Sequence, residues 1–446
     1  TVIASAVIDA LGTPEQCTAF LPGLIDGSSL GAIALDGPDG LILSGHHAEV
    51  LVVCDGADLT IAHCSPNEMA PVDTMDLTRR AARLVSPLPS VDDGHRIVGG
   101  ADEARAIARS LAAAEAAGLA TATLQMALEY AKVREQFGRT IGSFQAVKHH
   151  LANMVVDAEL AAAVAWDAAR AGGRGIQGRL AGAVAATQAL PAAIRTAEKN
   201  IQILGGIGFT WEHDSHIYLR RAWTLSALFT ADAAVDVTNL VAAGATANEG
   251  IELPEEAEKF RSEASEFRAR YEGLSTADER LAALIESGYC IPHWPRPFGR
   301  GASAVEQLVI DEELPDVERP ALGIGTWVLL TLIQHGSDEQ IERWIRPSLD
   351  GDFYWCQLFS EPNAGSDAAA IQAKATRVDG GWLVNGQKVW TSGAQNSNMG
   401  LATVRTDPDV AKHAGISTFA IDMKAQGVEV RPLREITGEA LFNEVF

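Results

Sequence analysis

Residues 12–27 read GTPEQCTAFLPGLIDG, and residues 336–351 read GSDEQIERWIRPSLDG. The two stretches match without a gap: Gly12 with Gly336, Glu15 with Glu339, Gln16 with Gln340, Asp26 with Asp350 and Gly27 with Gly351. Apolar positions match too, Phe20 with Trp344 and Leu21 with Ile345. Self-similarity at so long a period signals two copies of one unit. The 446 residues leave room for that, since such a length holds roughly two to four domains.

Outward from each copy of this helix, the chain changes character in the same order. Residues 1–33 read as the end of a helical domain. Residues 34–94 read as a small β domain, because LILSGHHAEVLVVCDGADLTIAHC (41–64) alternates short β-type runs with Gly and Asp turns. Residues 95–248 read as an antiparallel four-helix bundle. Its first helix is the long run ARAIARSLAAAEAAGLATATLQMALEYAKVREQF (104–137), almost free of breakers. Runs at about 143–172, 178–204 and 216–245 follow, the first two closed by AGGRG and GGIG. The acidic, proline-containing ANEGIELPEEAEKF (247–260) reads as a linker between the copies. Residues 249–354 comprise this linker and a second N-terminal helical domain, broken at PHWPRPFGRGAS (292–303). Residues 355–446 return to β, with WLVNGQKVW, STFAIDM and VEVRPL alternating between turns. The fold class is α+β, with helical domains flanking small β-barrel-like domains. A faithful repeat predicts a further helical bundle beyond FNEVF.

A formal charge of −23 makes nucleic acid a poor partner, because phosphate is repelled. No run approaches the roughly 20 apolar residues of a membrane span. The opening TVIASAVIDALGTPEQ has no basic n-region of a secretion signal. Five scattered cysteines without a CxxC read as reduced thiols, hence a cytoplasmic protein. The histidine pairs in HHAEV, VKHHLA and EHDSH lack further ligands at metal-binding spacing, so no metal site is expected.

Chemistry is concentrated in WCQLFSEPNAGSDAAA (355–370) and NGQKVWTSGA (385–394). A Pro-Asn-Ala-Gly-Ser turn exposes N–H groups and hydroxyls together, which suits an anion or a polar ring edge. A Trp beside Thr and Ser can stack on a flat heterocycle while hydroxyls bond its edge. Together, SEPNAGSD (360–367) and GQKVWTS (386–392) resemble the paired flavin motifs of the acyl-CoA dehydrogenase family. YAKVREQFGRTIGSFQAVKHHLANM (130–154) is similar to that family's Arg-x-x-Phe-Gly helix, and IQILGGIGF (201–209) to its Gln-Ile-x-Gly-Gly-x-Gly-Phe turn. GGIGF follows a helix, so it fails the context of a dinucleotide-binding strand–turn–helix.

The resemblance implies FAD shared across a dimer interface. It places Phe359 and Ser360 along the pyrimidine edge of the flavin, Trp390 against the ring, Ser392 near N5 and Ser366 by phosphate. From the neighbouring bundle, Arg134 pairs with pyrophosphate, Phe137 packs on the cofactor, and Gln202 and Gly206 approach it closely. The same offset that matches the helices carries Ser360 to Asp36, Glu361 to Gly37 and Asn363 to Asp39. The first copy therefore lacks the ring site, and its β domain is expected to be too short for a Trp-Thr-Ser strand. The expectation is a fused pseudo-dimer with one FAD per chain.

The resemblance further implies α,β-dehydrogenation of an acyl-CoA thioester, with electron-transfer flavoprotein as acceptor and fused chains pairing as a homodimer. A bulky acyl group, such as a steroid side chain, is the expected substrate. The family's base is a Glu at one of two positions, which here fall at Ala108 and near Phe229. Neither side chain accepts a proton, so no catalytic residue is identified and the base is expected beyond Phe446 or on a partner. Two other readings stay open: a non-catalytic scaffold binding FAD or acyl-CoA, and an acyl-CoA oxidase.

Overall fold

The computed structural model describes residues 1–85, 95–246 and 253–446. They fall into two compact units, Thr1–Gly250 and Ile251–Phe446. The expected boundaries at 94 and 248 lie outside the described residues, as does the linker up to residue 252.

Unit 1 opens with α1 (Val2–Leu11) and α2 (Pro14–Asp26). Gly12 stops α1, its N–H donating to Ile8 O. Thr13 then caps α2: its hydroxyl accepts from Gln16 N–H while the Gln16 side chain accepts from Thr13 N–H, a complete capping box. The β domain follows as β1 (Gly31–Ala34), β2 (Ile42–Leu43), β3 (Val50–Asp55), β4 (Asp58–His63), β5 (Met69–Val72), β6 (Ala81–Leu84) and β7 (Arg96–Ile97). The strands make two small sheets, β1-β3-β4-β7 and β2-β6-β5. Alternation sorts their faces, as a pleated strand requires. Val50, Val52, Leu59 and Ile61 pack under α1 and α2, while Leu51 and Val53 face Ile42, Met69 and Ala82.

The bundle consists of α3 (Ala101–Val133), α4 (Gln145–Ala171), α5 (Gly175–Leu204), α6 (Ser215–Phe229) and α7 (Ala233–Ala242), with a tight hairpin, β8 (Glu135–Gln136) and β9 (Arg139–Thr140), between α3 and α4. Its core is largely alanine, including Ala112, Ala116, Ala161, Ala165, Ala189 and Ala193. Such small side chains let the backbones approach closely. A Cβ on Gly182 would stand 2.8 Å from Ala106 O. By length and composition α3 could cross a membrane, which unbroken apolar runs in the sequence did not indicate. Its alanines pack inside the bundle instead.

The run expected as one helix over 216–245 is two, α6 and α7, bent by 43°. Asp232 turns the chain at φ 58°. Buried Arg109 of α3 holds the break open: it donates to Phe229 O at 3.3 Å and Ala231 O at 2.7 Å, and pairs with Asp236 at 2.6 Å. The carbonyls freed by the break are satisfied by a side chain.

Unit 2 opens with α8 (Ala257–Glu272), α9 (Ala277–Ser287), α10 (Ala304–Glu313), α11 (Gly325–His335) and α12 (Asp338–Leu349). The α11–α12 corner repeats α1–α2. Gly336 N–H donates to Leu332 O, and Ser337 with Gln340 forms the second capping box. The strands are β10 (Trp355–Leu358), β11 (Lys374–Val378), β12 (Gly381–Asn385), β13 (Lys388–Ser392), β14 (Met399–Arg405), β15 (Ile416–Asp422), β16 (Val430–Pro432) and β17 (Phe442–Val445). β10 pairs parallel with β14, as β1 does with β3. β13-β17-β16 repeats β2-β6-β5. The β11–β12 hairpin has no counterpart among the described residues of unit 1.

Candidate functional site

In unit 2, SEPNAGSD leaves the end of β10 and GQKVWTS forms β13. They are joined by an ion pair that nothing in the motif spacing singled out. Lys388 Nζ lies 2.8 Å from Glu361 Oε1, with side chains only 6% and 7% exposed. Its other donors reach Phe359 O at 3.0 Å and Thr403 O at 2.7 Å. Glu361 also accepts from the N–H groups of Gln372 at 2.6 Å and Ala373 at 3.0 Å. A buried charge pair costs several kcal/mol per ion unless its remaining hydrogen bonds are made, and here they are. Burial still pushes the Lys388 ammonium below its ordinary pKa, against the upward pull of Glu361. One point thus fixes the exit of β10, the start of β13, the edge of β14 and the entry to β11. Val389 N–H donates to Ser360 O at 2.9 Å beside it.

Trp390 follows directly. Its φ is 60°, in the left-handed region that a bulky residue rarely adopts. It sits where the β13–β17 register shifts, and its indole is 62% exposed. Strain of this kind persists only where the surroundings impose it. Ser392 lies half-buried two residues on, and Phe359 and Ser360 are half-buried at the end of β10. The Phe359 ring meets Trp327 edge-on at 5.6 Å. Between Trp390 and Ser392, Thr391 is buried, its carbonyl accepting from Asn443 Nδ2 at 3.0 Å. Ser366 is exposed in the bend that follows the Glu361–Ala364 bridge. Beside it, a Cβ on Gly365 would meet nothing within 4 Å. An exposed indole face flanked by hydroxyls on two strand ends can accept a flat heterocycle with a hydrogen-bonding edge.

In unit 1, Arg134, Phe137, Gln202 and Gly206 gather at one end of the bundle. α3 and α5 end side by side there, with Ala131, Met154 and Ile203 in one buried cluster. Arg134 caps α3 with its side chain exposed and without an ion-pair partner among the described residues. Phe137 forms the tip of the β8–β9 hairpin at φ 55° and is 94% exposed. Gln202 is exposed on the last turn of α5, and a Cβ at Gly206 would meet open space. A free guanidinium beside an aromatic ring and an open glycine turn can take an anion with an attached ring.

The first copy keeps a strand that its sequence did not lead one to expect. A strand equivalent to β13 is present. Residues 42–50 and 391–399 share one conformation: a strand end, a left-handed residue (Ser44 at φ 60°, Gly393 at φ 65°), a 3-10 turn and the start of the next strand. Leu41 therefore stands where Trp390 does, and Leu43 where Ser392 does. An ungapped offset misses this because the β11–β12 hairpin is absent between the two motifs. Ala108 is buried on α3 and Phe229 is buried at the end of α6.

Family models match along most of the chain. The acyl-CoA dehydrogenase C-terminal domain matches residues 100–229, the N-terminal domain 250–352 and the middle domain 356–443. The chain is 47% identical over 408 residues to acyl-CoA dehydrogenase FadE34 of Mycobacterium tuberculosis, a match spanning 89% of this chain and 56% of that protein. It is 38% identical over 229 residues to acyl-CoA dehydrogenase IpdE2 of the same organism, across 50% of this chain and 64% of that one. It thus spans little more than half the length of these relatives. Among solved structures, butyryl-CoA dehydrogenase from Megasphaera elsdenii aligns over 55% of this chain and 75% of its own, at 24% identity and a TM-score of 0.48.

Proposed function

The chain belongs to the acyl-CoA dehydrogenase family, and from that premise we propose that it serves the FAD-dependent α,β-dehydrogenation of an acyl-CoA thioester, with one FAD for the two copies. The observation that carries this is the Glu361–Lys388 latch, which binds the two flavin motifs together and turns Trp390 outward. A flavin held here would supply the acceptor for a hydride. The residues present fit it: an open indole face, hydroxyls at Ser360 and Ser392, and a turn at Gly365–Ser366 with space for a phosphate.

Trp390 covers one ring face and excludes water from it. Ser360 and Ser392 orient the ring edge by hydrogen bonds. Arg134 holds pyrophosphate, since a guanidinium fork matches phosphate oxygens and never loses its charge. Phe137 packs on the adenosine end, and Gly206 lets the backbone come close. Each half-site supplies what the other lacks. Proton abstraction α to the thioester needs a carboxylate within hydrogen-bond reach. Ala108 and Phe229 cannot provide it. The acyl group proposed is a bulky one such as a steroid side chain, because the first copy's ring site has given way to leucines. The acceptor proposed is electron-transfer flavoprotein, and the assembly a pair of fused chains.

The test is the count of FAD per purified chain, read from flavin absorbance after denaturation, in wild type and Arg134→Ala. One FAD per chain, weakened in the variant, is expected. Two per chain, or an indifferent variant, would overturn the shared site. Faster turnover of a straight-chain acyl-CoA than of a steroid-acyl-CoA would remove the bulky-substrate reading.

A further inference from the structure

Trp390 stands between two ladder pairs of β13 and β17, Lys388 with Val445 and Thr391 with Asn443. The Lys388 latch fixes the chain before it, and Asn443 fixes the chain after it. The Asn443 side chain is fully buried, and its Nδ2 group reaches Thr391 O at 3.0 Å, Leu441 O at 3.1 Å and the side-chain oxygen of Gln395. Gln395 in turn donates to Ala440 O at 3.0 Å. This amide therefore ties the end of β13 to the 3-10 turn that follows it, Ala394–Asn396, and to the entry of β17. Thr391 O, the carbonyl it holds, lies between the two residues proposed for the flavin ring, Trp390 and Ser392.

Unit 1 shows the same frame without this amide. Ile42 pairs with Ala82 as Thr391 pairs with Asn443, and Leu43 with Ala81 as Ser392 with Phe442. Ser44 N–H donates to Arg80 O at 2.7 Å, as Gly393 N–H donates to Leu441 O at 2.9 Å. Ala82 thus stands where Asn443 does, fully buried, and the strands still pair. Leu41, at the place of Trp390, does not take the left-handed conformation. We propose that Asn443 is a positioning residue for the flavin ring: by holding Thr391 O, it keeps Trp390 left-handed and its indole presented. The inference rests on the flavin reading of unit 2. A left-handed tryptophan persists only where its surroundings impose it, and here the conformation and the asparagine occur in one copy and are both missing from the other. Asn443 is shut away from the surface, so it acts through Trp390 and not by touching the ring.

The test is a double-mutant cycle on the full chain, read as the affinity of the apoprotein for FAD by titration. Asn443→Leu keeps the volume and loses the donor. It should weaken FAD binding about tenfold, the scale of one hydrogen bond at the upper end of its usual range. In the Trp390→Ala background the same change should shift affinity by less than about twofold, because no indole is left to position. Bound flavin should also regain fluorescence in Asn443→Leu, as the indole that quenches it leaves the ring face. Should that variant fail to fold, Thr391→Ile with Asn443→Ala installs the pair that packs in unit 1 and should give the same results. Equal weakening in both backgrounds would assign Asn443 to the packing of β17 and overturn the proposal. Undiminished affinity and quenching with Trp390 in place would overturn it too. An FAD affinity indifferent to Trp390→Ala would instead bring down the ring-site reading itself, and this inference with it.

Discussion

The sheets of residues 31–84 and of residues 355–445 follow one plan. In both, a first strand pairs parallel with a strand that follows a left-handed residue and a 3-10 turn. In both, a three-stranded sheet stands beside it. They differ in an insertion and a charge pair in unit 2, and in the short strand β7 that pairs with β4 in unit 1. Unit 2 has the β11–β12 hairpin, whose entry donates two N–H groups to Glu361. It also has Lys388, which answers that carboxylate. In the first copy, Gly37 and Leu41 replace Glu361 and Trp390. The plan itself survives without the hairpin, because its apolar faces are intact. What the hairpin and the pair add is a strained, outward indole at a fixed place. Fold and candidate ring site are thus separable in this chain, the first resting on patterning and the second, as proposed, on a buried latch.

The comparison breaks most visibly at Lys388. Lys388→Met leaves the Glu361 carboxylate buried without its cation, a loss of about 3–5 kcal/mol. Urea unfolding of unit 2 should show it, together with loss of bound FAD. Full stability and full flavin in this variant would mean that the latch is not what separates the two copies.

Unit 1 has a latch of its own, at a different place. Buried Asp76 accepts from Thr78 N–H at 2.9 Å and Thr78 Oγ1 at 2.7 Å, and pairs with Arg221, which also reaches Glu115. It ties the loop before β6 to α3 and α6. Arg221→Gln should cost about 2–3 kcal/mol, the range for hydrogen bonds to a charged group left buried. Burial raises the Asp76 carboxyl, but Thr78 and Arg221 outweigh it and hold the pKa below the usual 3.8. The folded state therefore binds this proton less readily than the unfolded one. The stabilisation is complete above pH 3.8 and is lost as pH falls from there through the lowered value. An acid titration of wild type should show this loss, and one of Arg221→Gln should show less of it.

Arg134 sharpens the contrast between latch and ligand contact. Its side chain is exposed and bonds nothing among the described residues. Arg134→Ala should leave the melting point of the apoprotein unchanged while FAD affinity drops roughly tenfold or more, about 1.5 kcal/mol. A drop in apoprotein stability would reassign Arg134 to packing.

Much of this was legible in the residues. The long bundle helices were visible because glycines punctuate alanine-rich runs that lack other breakers. The paired corners were visible because no insertion disturbs the offset between them. The motifs of the proposed ring site were visible, though only the structure shows that Glu361 and Lys388 pair between them. A lysine within a strand reads as an exposed residue unless its partner's burial is known. The strand Leu41–Leu43 stayed hidden because deletion of a hairpin changes the offset midway through the domain. The break between α6 and α7 stayed hidden because its cause, Arg109, lies more than a hundred residues upstream.

The smallest effect tests the repeat where it is most alike. Thr13 and Ser337 cap α2 and α12 in the same way, each hydroxyl accepting an N–H at 3.3 Å. Replacing an N-cap hydroxyl by alanine costs about 1 kcal/mol, within a range of roughly 0.5–2. The two sites should not give equal values. Gln16 is buried, 3% exposed, and part of its box is shut away from water, whereas the box around Ser337 is exposed. Water can replace the lost oxygen at Ser337 but less readily at Thr13. Thr13→Ala should therefore fall in the upper half of that range and Ser337→Ala in the lower, as read from hydrogen exchange in the first turns of α2 and α12. Equal costs would mean that burial of the corner does not distinguish the copies. A reversed order would mean that unit 2 relies on its corner more than unit 1 does, and that the first copy is held mainly by its Asp76–Arg221 latch.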